Sequence, residues 1–428
     1  MDKARHAALA VIVDVIHRGA YSNIAFNKML RAEQLSDLDR RFCTELINGT
    51  VKCGASLDWI ISKFVSRPIN KIEPKVLAIL RLGVYQLLFL DKVPPSAAVN
   101  ESVELAKSVS IGASKFVNGV LRSMLREPSK TKFPTDDSPA SLALRTFHPQ
   151  WLVERWIDQF GLEQTKALLD VDNQPAPITL RVNRLKTNRD ELLERLKSLG
   201  VEARPSELVE DGIVCQKLGA LDDFELLNKG LCLVQDESSM MAAHVLDPKP
   251  GEFVIDCCAA PGGKSTHIAE LMDNRGLVIA VDIHEHKLKL IIGNSNRLGI
   301  KIVKPMKLDA REVGNEFKGR AHRVLVDAPC SGLGVLRRKA DLRWNKNPDE
   351  LALLPELQSE ILDSASKALR HDGVLVYSTC TLERAENEGV VEKFLSEHEE
   401  FELETMKTLL PHVDGTDGFF YAKLKRRS

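Results

Sequence analysis

Two cysteines carry the chemistry open to this chain. Cys330 lies in Asp327-Ala328-Pro329-Cys330-Ser331-Gly332, after the apolar run Arg323–Asp327. Cys380 lies in Tyr377-Ser378-Thr379-Cys380-Thr381, after Val374–Tyr377. Short apolar runs of this kind read as buried strands of an α/β sheet, so each thiol sits at a strand's carboxyl end, where such sheets bind ligands. One cysteine there is more often a small buried hydrophobe. Two of them, one after Asp-Ala-Pro, point to thiol addition. A thiolate adding at C6 of cytosine breaks the aromaticity of the ring and makes C5 nucleophilic, so that C5 can take a methyl group. Loss of the C5 proton and expulsion of the thiol restore the ring. Asp327, as an acid near N3 and N4, would stabilise the adduct. Lys264 is placed to hold that carboxylate or the base. Spacing alone does not rank the two thiols.

The methyl group needs a donor, and the stretch Phe253 to His267 offers a place for one. The apolar run Val254-Ile255 ends in Cys257-Cys258-Ala259-Ala260-Pro261-Gly262-Gly263-Lys264, and a helix begins. A turn of this kind presents backbone N–H groups at a helix N-terminus, which suits a carboxylate or phosphate. Gly263-Lys264-Ser265 matches the tail of a phosphate-binding P-loop, but the leading glycine is replaced by Cys258, so a nucleotide triphosphatase fits poorly. An ordinary strand-to-helix turn is the plainer alternative. Asp282 follows about 20 residues on, at the next strand end, where an acid hydrogen-bonds ribose hydroxyls. Asp309, at the third strand end, is placed to receive an adenine amino group. This set suits S-adenosylmethionine, with the turn near its amino-acid end.

The elements that position these residues are legible as alternation. From Gln235 the strands Val254–Ile255, Leu277–Asp282, Val303–Asp309, Arg323–Asp327 and Val374–Tyr377 alternate with helices, and Gly418–Lys425 closes the chain as a strand. Helix His284–Leu298 turns Leu288, Ile291, Ile292 and Leu298 to one face. A second helix shows Leu357, Ile361, Leu362, Ala365 and Leu369 at core spacing. Repeated β-α units imply a Rossmann-like, mostly parallel, doubly wound sheet. The strands that end at Asp327 and Tyr377 are then neighbours, and the first also borders the strand before the glycine turn. Donor and pyrimidine would sit side by side.

Ahead of this domain, residues 1–130 read as helices throughout, with the helix opening at Glu73-Pro74 apolar nearly all round and so central. Residues 131–150 have a linker's composition, with Pro134, Pro139 and Pro149. Residues 151–235 read as a small α+β subdomain, and 236–428 as the catalytic domain. Arg181 and Asn183, on the alternating run Ile178–Asn183, read as an exposed strand face, with RNA contact as the alternative. Arg337, Arg338, Lys339, Arg343 and Trp344 suit a flipped base and its flanking phosphates, or else a solvated loop.

Charge and cysteine usage narrow the class. The 428 residues carry a net charge of −1, but residues 1–130 hold 19 Lys+Arg against 12 Asp+Glu. A basic N-terminal third hints at a polyanion partner. No apolar run is long enough to cross a bilayer, and the N-terminal residues lack a signal-peptide pattern. Eight scattered cysteines, with no C-x-x-C and no ligand-like spacing with histidine, argue for reduced thiols in the cytoplasm and against a disulfide scaffold or a metal site.

Three stretches of the helical part, Asp39–Thr50, Leu80–Leu87 and Lys115–Arg122, resemble the NusB-like RNA-binding domain. Ala259–Lys264, Asp327–Gly332 and Ser378–Thr381 look like the motifs of RNA cytosine-5 methyltransferases. Together they make the chain similar to the RsmB (Sun/Fmu) family of rRNA methyltransferases, with no departure at these motifs. The resemblance implies S-adenosylmethionine as co-substrate and a cytosine of 16S rRNA, not fully assembled, as target. It implies Cys380 as nucleophile and Cys330 as the residue that assists release. It also implies donor contacts from Cys258, Ala259, Ala260, Pro261, Gly262, Gly263 and Lys264, and from Asp282, Asp309 and Asp327. A monomeric cytoplasmic enzyme without metal is expected. A non-catalytic antitermination factor, or a methyltransferase for protein or small molecules, would need neither thiol.

Overall fold

The computed structural model describes residues 2–18, 25, 26, 29, 35–216, 218 and 224–427. They form two compact units, Met1–Asn173 with Arg338–Lys346, and Gln174–Arg337 with Asn347–Ser428.

The first unit is helical among its described residues. Its helices include α1 (Lys3–Arg18), α2 (Asp37–Lys52), α3 (Gly54–Ser62), α4 (Pro74–Phe89), α5 (Pro95–Lys107), α6 (Ile111–Arg126), α7 (Pro139–Thr146), α8 (Gln150–Phe160) and α9 (Leu162–Val171). α4 is the central helix that its all-round apolar pattern predicts. Val76–Leu80 and Leu82–Gln86 are buried, and α1, α2, α3, α5 and α6 pack on it. Proline at its first position costs nothing, because that N–H has no helical partner. The proline-rich stretch 131–150 is not a bare linker. It holds α7, whose Ser138 caps Ser141 N–H, with Leu142 and Ala143 buried.

The second unit carries two sheets. The smaller has the order β2-β3-β1-β4, with β1 Ile178–Val182, β2 Ala203–Pro205, β3 Gly212–Cys215 and β4 Cys232–Val234. β1 runs antiparallel to both β3 and β4, and α10 (Arg189–Ser198) packs its Leu192 and Leu196 into the core beneath. The larger sheet holds β5 Phe253–Asp256, β6 Leu277–Asp282, β7 Val303–Lys307, β8 Ala321–Asp327, β9 Leu369–Thr379, β10 Phe401–Leu409 and β11 Phe419–Arg426. Its order is β10-β11-β9-β8-β5-β6-β7.

β5 to β9 are parallel, and β11 is antiparallel to β9 and β10. Helices α11 (Glu237–Leu246), α12 (Gly263–Leu271), α13 (Glu285–Leu298), α14 (Leu354–Ala368) and α15 (Glu388–Glu397) cover it. The expected neighbours hold, because β8 pairs with β9 on one side and β5 on the other. Two details differ from the sequence reading. β10 lacks an apolar alternation because most of its residues are exposed at the sheet edge. Ile292, assigned to the buried face of α13, is 47% exposed.

Candidate active site

The two cysteines meet. Cys330, three residues past β8, and Cys380, directly after β9, bring their sulfurs to 3.3 Å, and both are free thiols. Register explains the meeting. Asp327 of β8 pairs with Ser378 of β9, and Ala328 N–H donates to Ser378 O. The Pro-Cys loop then folds back over the end of β9, where Gly334 N–H donates to Cys380 O at 3.0 Å. Glycine is required at 334, since a Cβ there would lie 2.3 Å from Gly418 O and 2.8 Å from Cys380 O.

The loop is pinned from beneath by residues that carry no motif. Glu386, fully buried, accepts from Ser331 N–H at 2.9 Å and from Gln358 Nε2 at 2.9 Å, and Gln358 also donates to Pro329 O. Tyr377 donates its hydroxyl to Glu386 O, and the Ser331 and Thr381 hydroxyls meet at 2.6 Å. These partners are 29 to 55 residues from the loop residues they hold, so no local spacing announces them. The hydrogen bond with Cys380, burial and the nearby Glu386 carboxylate push the Cys330 thiol well above its usual range.

Asp327 ends β8 beside this pair. It accepts from Lys264 Nζ at 2.7 Å and from Ser378 Oγ at 2.9 Å. Of the two partners open to Lys264 in the sequence, the carboxylate is the one it holds. Burial works against the ammonium, but the attraction of Asp327 outweighs it and holds Lys264 above its ordinary value.

The glycine turn leads from β5 into α12. Gly262 takes φ +101° and α12 begins without a side-chain cap. A Cβ on Gly262 would meet Ile291 Cα at 3.1 Å, so α13 closes tightly over the turn. Asn294 of α13 donates to Pro261 O, and Ala259 N–H donates to Val281 O of β6. Cys258, Ala260, Gly263 and Lys264 keep partial exposure, while Ala259 and Gly262 are buried and Pro261 is exposed. An uncapped helix N-terminus of this kind fits an amino-acid carboxylate.

Asp282 ends β6, with one oxygen accepting from His284 N–H. Asp309, just past β7, is gripped by Arg311, whose guanidinium holds the carboxyl below its usual value. Behind β5, sequence reasoning passed over Asp256. It is fully buried, accepts from Ser265 Oγ, and burial pushes its carboxyl up to about 7.

Several polar residues do not lie where the sequence put them. Arg181 and Asn183 are neither exposed nor free for RNA, being 1% and 0% exposed inside the second unit. Arg343 is fully buried in the first unit, donating to Phe147 O, Asn173 Oδ1 and Asp172 O. Trp344 donates to Lys52 O. Arg343 is therefore neither on a solvated loop nor free to meet a base. Arg338 and Lys339 are exposed. A further cluster, Asp211 with His244 and His267, carried no sequence signal. One carboxylate accepts from the Nε2 of each ring, which satisfies its charge.

A parallel five-strand core with an antiparallel hairpin inserted at β9, an uncapped glycine turn after its first strand and acids at the next strand ends define a fold: that of the S-adenosylmethionine-dependent methyltransferases. The chain belongs to the 16S rRNA methyltransferase RsmB/F family, whose model matches residues 243–425. The NusB family model matches 2–126, and an RsmF/B-like ferredoxin-like domain model matches 148–221.

The chain is 41% identical to the probable ribosomal RNA small subunit methyltransferase B of Bacillus subtilis (strain 168), over 99% of this chain and 98% of that protein. The solved structure of PH0851 is 30% identical and covers 98% of each chain with a TM-score of 0.84. A methyltransferase homolog from Pyrococcus horikoshii is 28% identical, covering 68% of this chain and 100% of that one, with a TM-score of 0.61. The family and fold read from the three motifs and the NusB-like stretches are thus borne out. Among the described residues no helix is long and apolar enough to cross a membrane.

Proposed function

We propose that this protein transfers a methyl group from S-adenosylmethionine to C5 of one cytosine in 16S rRNA through a covalent cysteine–C6 adduct. The observation that carries the reading is the 3.3 Å approach of Cys330 and Cys380 at the ends of neighbouring strands, beside the glycine turn. A methyltransferase acting on nitrogen or oxygen needs no thiol, and an RNA-binding factor needs neither thiol nor donor.

Residues Cys258 to Lys264, with Asp282, Asp309 and Asp327, would hold the donor, which supplies an electrophilic methyl group when bound. The chain's own residues do the rest. The resemblance to RNA cytosine-5 methyltransferases gives the nucleophile's role to Cys380. Its thiolate forms the S–C6 bond, and the displaced electron density moves toward N3. N3 takes a proton from solvent, and the Asp327 carboxylate, held by Lys264 and Ser378, accepts from the adduct's N3–H and N4–H, a pair of hydrogen bonds that the ground-state ring, with no proton on N3, cannot make. C5 takes the methyl group. The donor would leave as its neutral thioether; the C5 proton then passes to solvent water, the C6–S pair returns to Cys380 as thiolate and aromaticity is restored, a step that Cys330 assists from its position against Cys380.

The relatives' names point to small-subunit rRNA, and the basic helical unit supplies a polyanion contact. The reading further takes the enzyme as a cytoplasmic monomer that acts before subunit assembly is complete, and without metal.

Incubation with donor carrying a labelled methyl group and undermodified 16S rRNA should place label on cytosine C5. Cys380→Ala should abolish turnover. Cys330→Ala should instead accumulate a covalent protein–RNA adduct on denaturing gels. The reverse pattern would overturn the assignment of the two thiols. Absence of transfer by folded wild-type protein on intact RNA would overturn the activity.

A further inference from the structure

Arg181 stands on the small sheet, in β1, yet its guanidinium enters the first turn of α12. Nη1 donates to Gly263 O at 2.5 Å and to Gln235 Oε1. Nη2 donates to Thr266 Oγ1 at 3.0 Å and to Glu270 Oε1 at 2.9 Å. Thr266 in turn donates to Gly262 O at 2.7 Å. The side chain is 1% exposed. Two residues on, Asn183 donates from Nδ2 to Leu298 O at the end of α13 and to Gly230 O. One strand of the small sheet thus grips the start of the helix behind the glycine turn and the end of the helix that closes over it.

We infer that Arg181 is a positioning residue for the methyl donor, and that the small subdomain is a structural part of the donor site. The inference rests on the donor reading above. Two features carry it beyond a core ion pair. Neutralising Arg181 requires only Glu270, 2.9 Å away, but the planar fork spends its other donors on Gly263 O, Gln235 and Thr266. Arginine presents several donors in fixed directions, so it sets the carbonyls of the turn in a way that lysine's single ammonium does not. Gly262 and Gly263 lack side chains with which to hold their own positions, and the N–H groups of that turn must converge on the ligand. A buried ion pair is in itself weak support for stability, whereas the position it imposes is a distinct contribution.

The test uses the full-length protein. Arg181→Lys keeps the charge and loses the fork. Thr266→Val keeps the shape and cuts the link from Arg181 to Gly262 O. Donor affinity is read by calorimetry with S-adenosylmethionine, KM for donor and RNA by methyl transfer, and folding by thermal melts. We expect donor Kd and KM to rise by about 10- to 100-fold in Arg181→Lys and by less in Thr266→Val, as for a lost hydrogen bond to a charged group. KM for RNA and kcat at saturating donor should hold within about threefold, and adduct formation by Cys330→Ala should survive in the Arg181→Lys background once donor is saturating. Wild-type binding with both variants binding donor equally well, whatever their melts, would overturn the inference and leave the donor reading intact. Wild-type protein that binds no donor would overturn both.

Discussion

Asp327 and Lys264 permit a test in which stability and catalysis separate. Asp327→Asn keeps the volume and the acceptor for Ser378 but removes the charge opposite Lys264 Nζ, 2.7 Å away, with side chains 14% and 27% exposed. At an intermediate dielectric two unit charges at that range attract by about 4 kcal/mol or more before desolvation is counted. Removing one partner of a fully buried pair costs about 3–5 kcal/mol, and the residual exposure here brings the expected loss nearer ~2 kcal/mol. For a unit of this size that is a fall in Tm of about 4–8 °C.

The kinetic loss should be larger. A preorganised group that stabilises a developing charge is worth about 10²- to 10³-fold in rate. The decisive variant is Lys264→Met with Asp327→Asn. Removing the stranded ammonium should recover most of the lost stability, a coupling of about 1 kcal/mol or more, but none of the activity.

The alkaline limb gives a second reading of the same pair. In the wild type Asp327 raises Lys264, so its contribution is complete below the unfolded value and fades as pH rises through the folded one. In Asp327→Asn the largest influence, burial, is opposed only by the weaker attraction of Cys380 and Asp256, so the folded value falls, and where it falls below the unfolded lysine value of about 10.4 the variant should gain stability as pH rises between the two. Melting curves from pH 7 to 10.5 and single-turnover methyl transfer are the assays. Single-turnover rates within threefold of wild type would refute the role given to Asp327. A double variant no more stable than Asp327→Asn would refute the pairing.

Two further outcomes are expected. Asp256, with its carboxyl pushed up to about 7 by burial, binds its proton more tightly folded than unfolded, so its contribution is full below about pH 3.9 and is lost as pH rises toward 7. Denaturant unfolding of Asp256→Asn at pH 5 and 7.5 should show the variant gaining on the wild type by up to ~2.5 kcal/mol between the two, and parallel profiles would sink the account. Arg343→Met should destabilise the helical unit by about 2–3 kcal/mol, because Phe147 O and Asn173 lose a charged donor, while donor affinity stays put. An unchanged melt with weakened RNA binding would return Arg343 to the RNA surface.

The positions of the groups proposed to react were legible because each stands where an apolar run stops. Runs such as Val254-Ile255 and Leu277–Asp282 can only be interior strands of a parallel sheet, and the residues just past them must lie along one edge. That sufficed to put Cys330, Cys380, Asp327 and Lys264 together. β10 was missed for the complementary reason. Phe401–Leu409 pairs only with β11 and exposes most of its side chains, so burial left no pattern in its composition.

Arg181 and Asn183 were misplaced by a single physical cause. Period-two alternation reports that a strand has two faces, but it does not report what covers the second. A polar residue in such a strand reads as solvated because an unpaired buried charge is costly. The cost vanishes once partners distant in sequence arrive, and for Arg181 they arrive from Gly263, Thr266 and Glu270, at least 82 residues on. Glu386 and Gln358 behave alike beneath the Pro-Cys loop. A motif therefore points to the groups proposed to react, whereas the groups that hold them in place are the buried polar residues that local pattern assigns to the surface. In this chain those holding groups are concentrated behind the two loops, at Gly263 and at Ser331, whose backbone positions the reaction requires to within a fraction of an ångström.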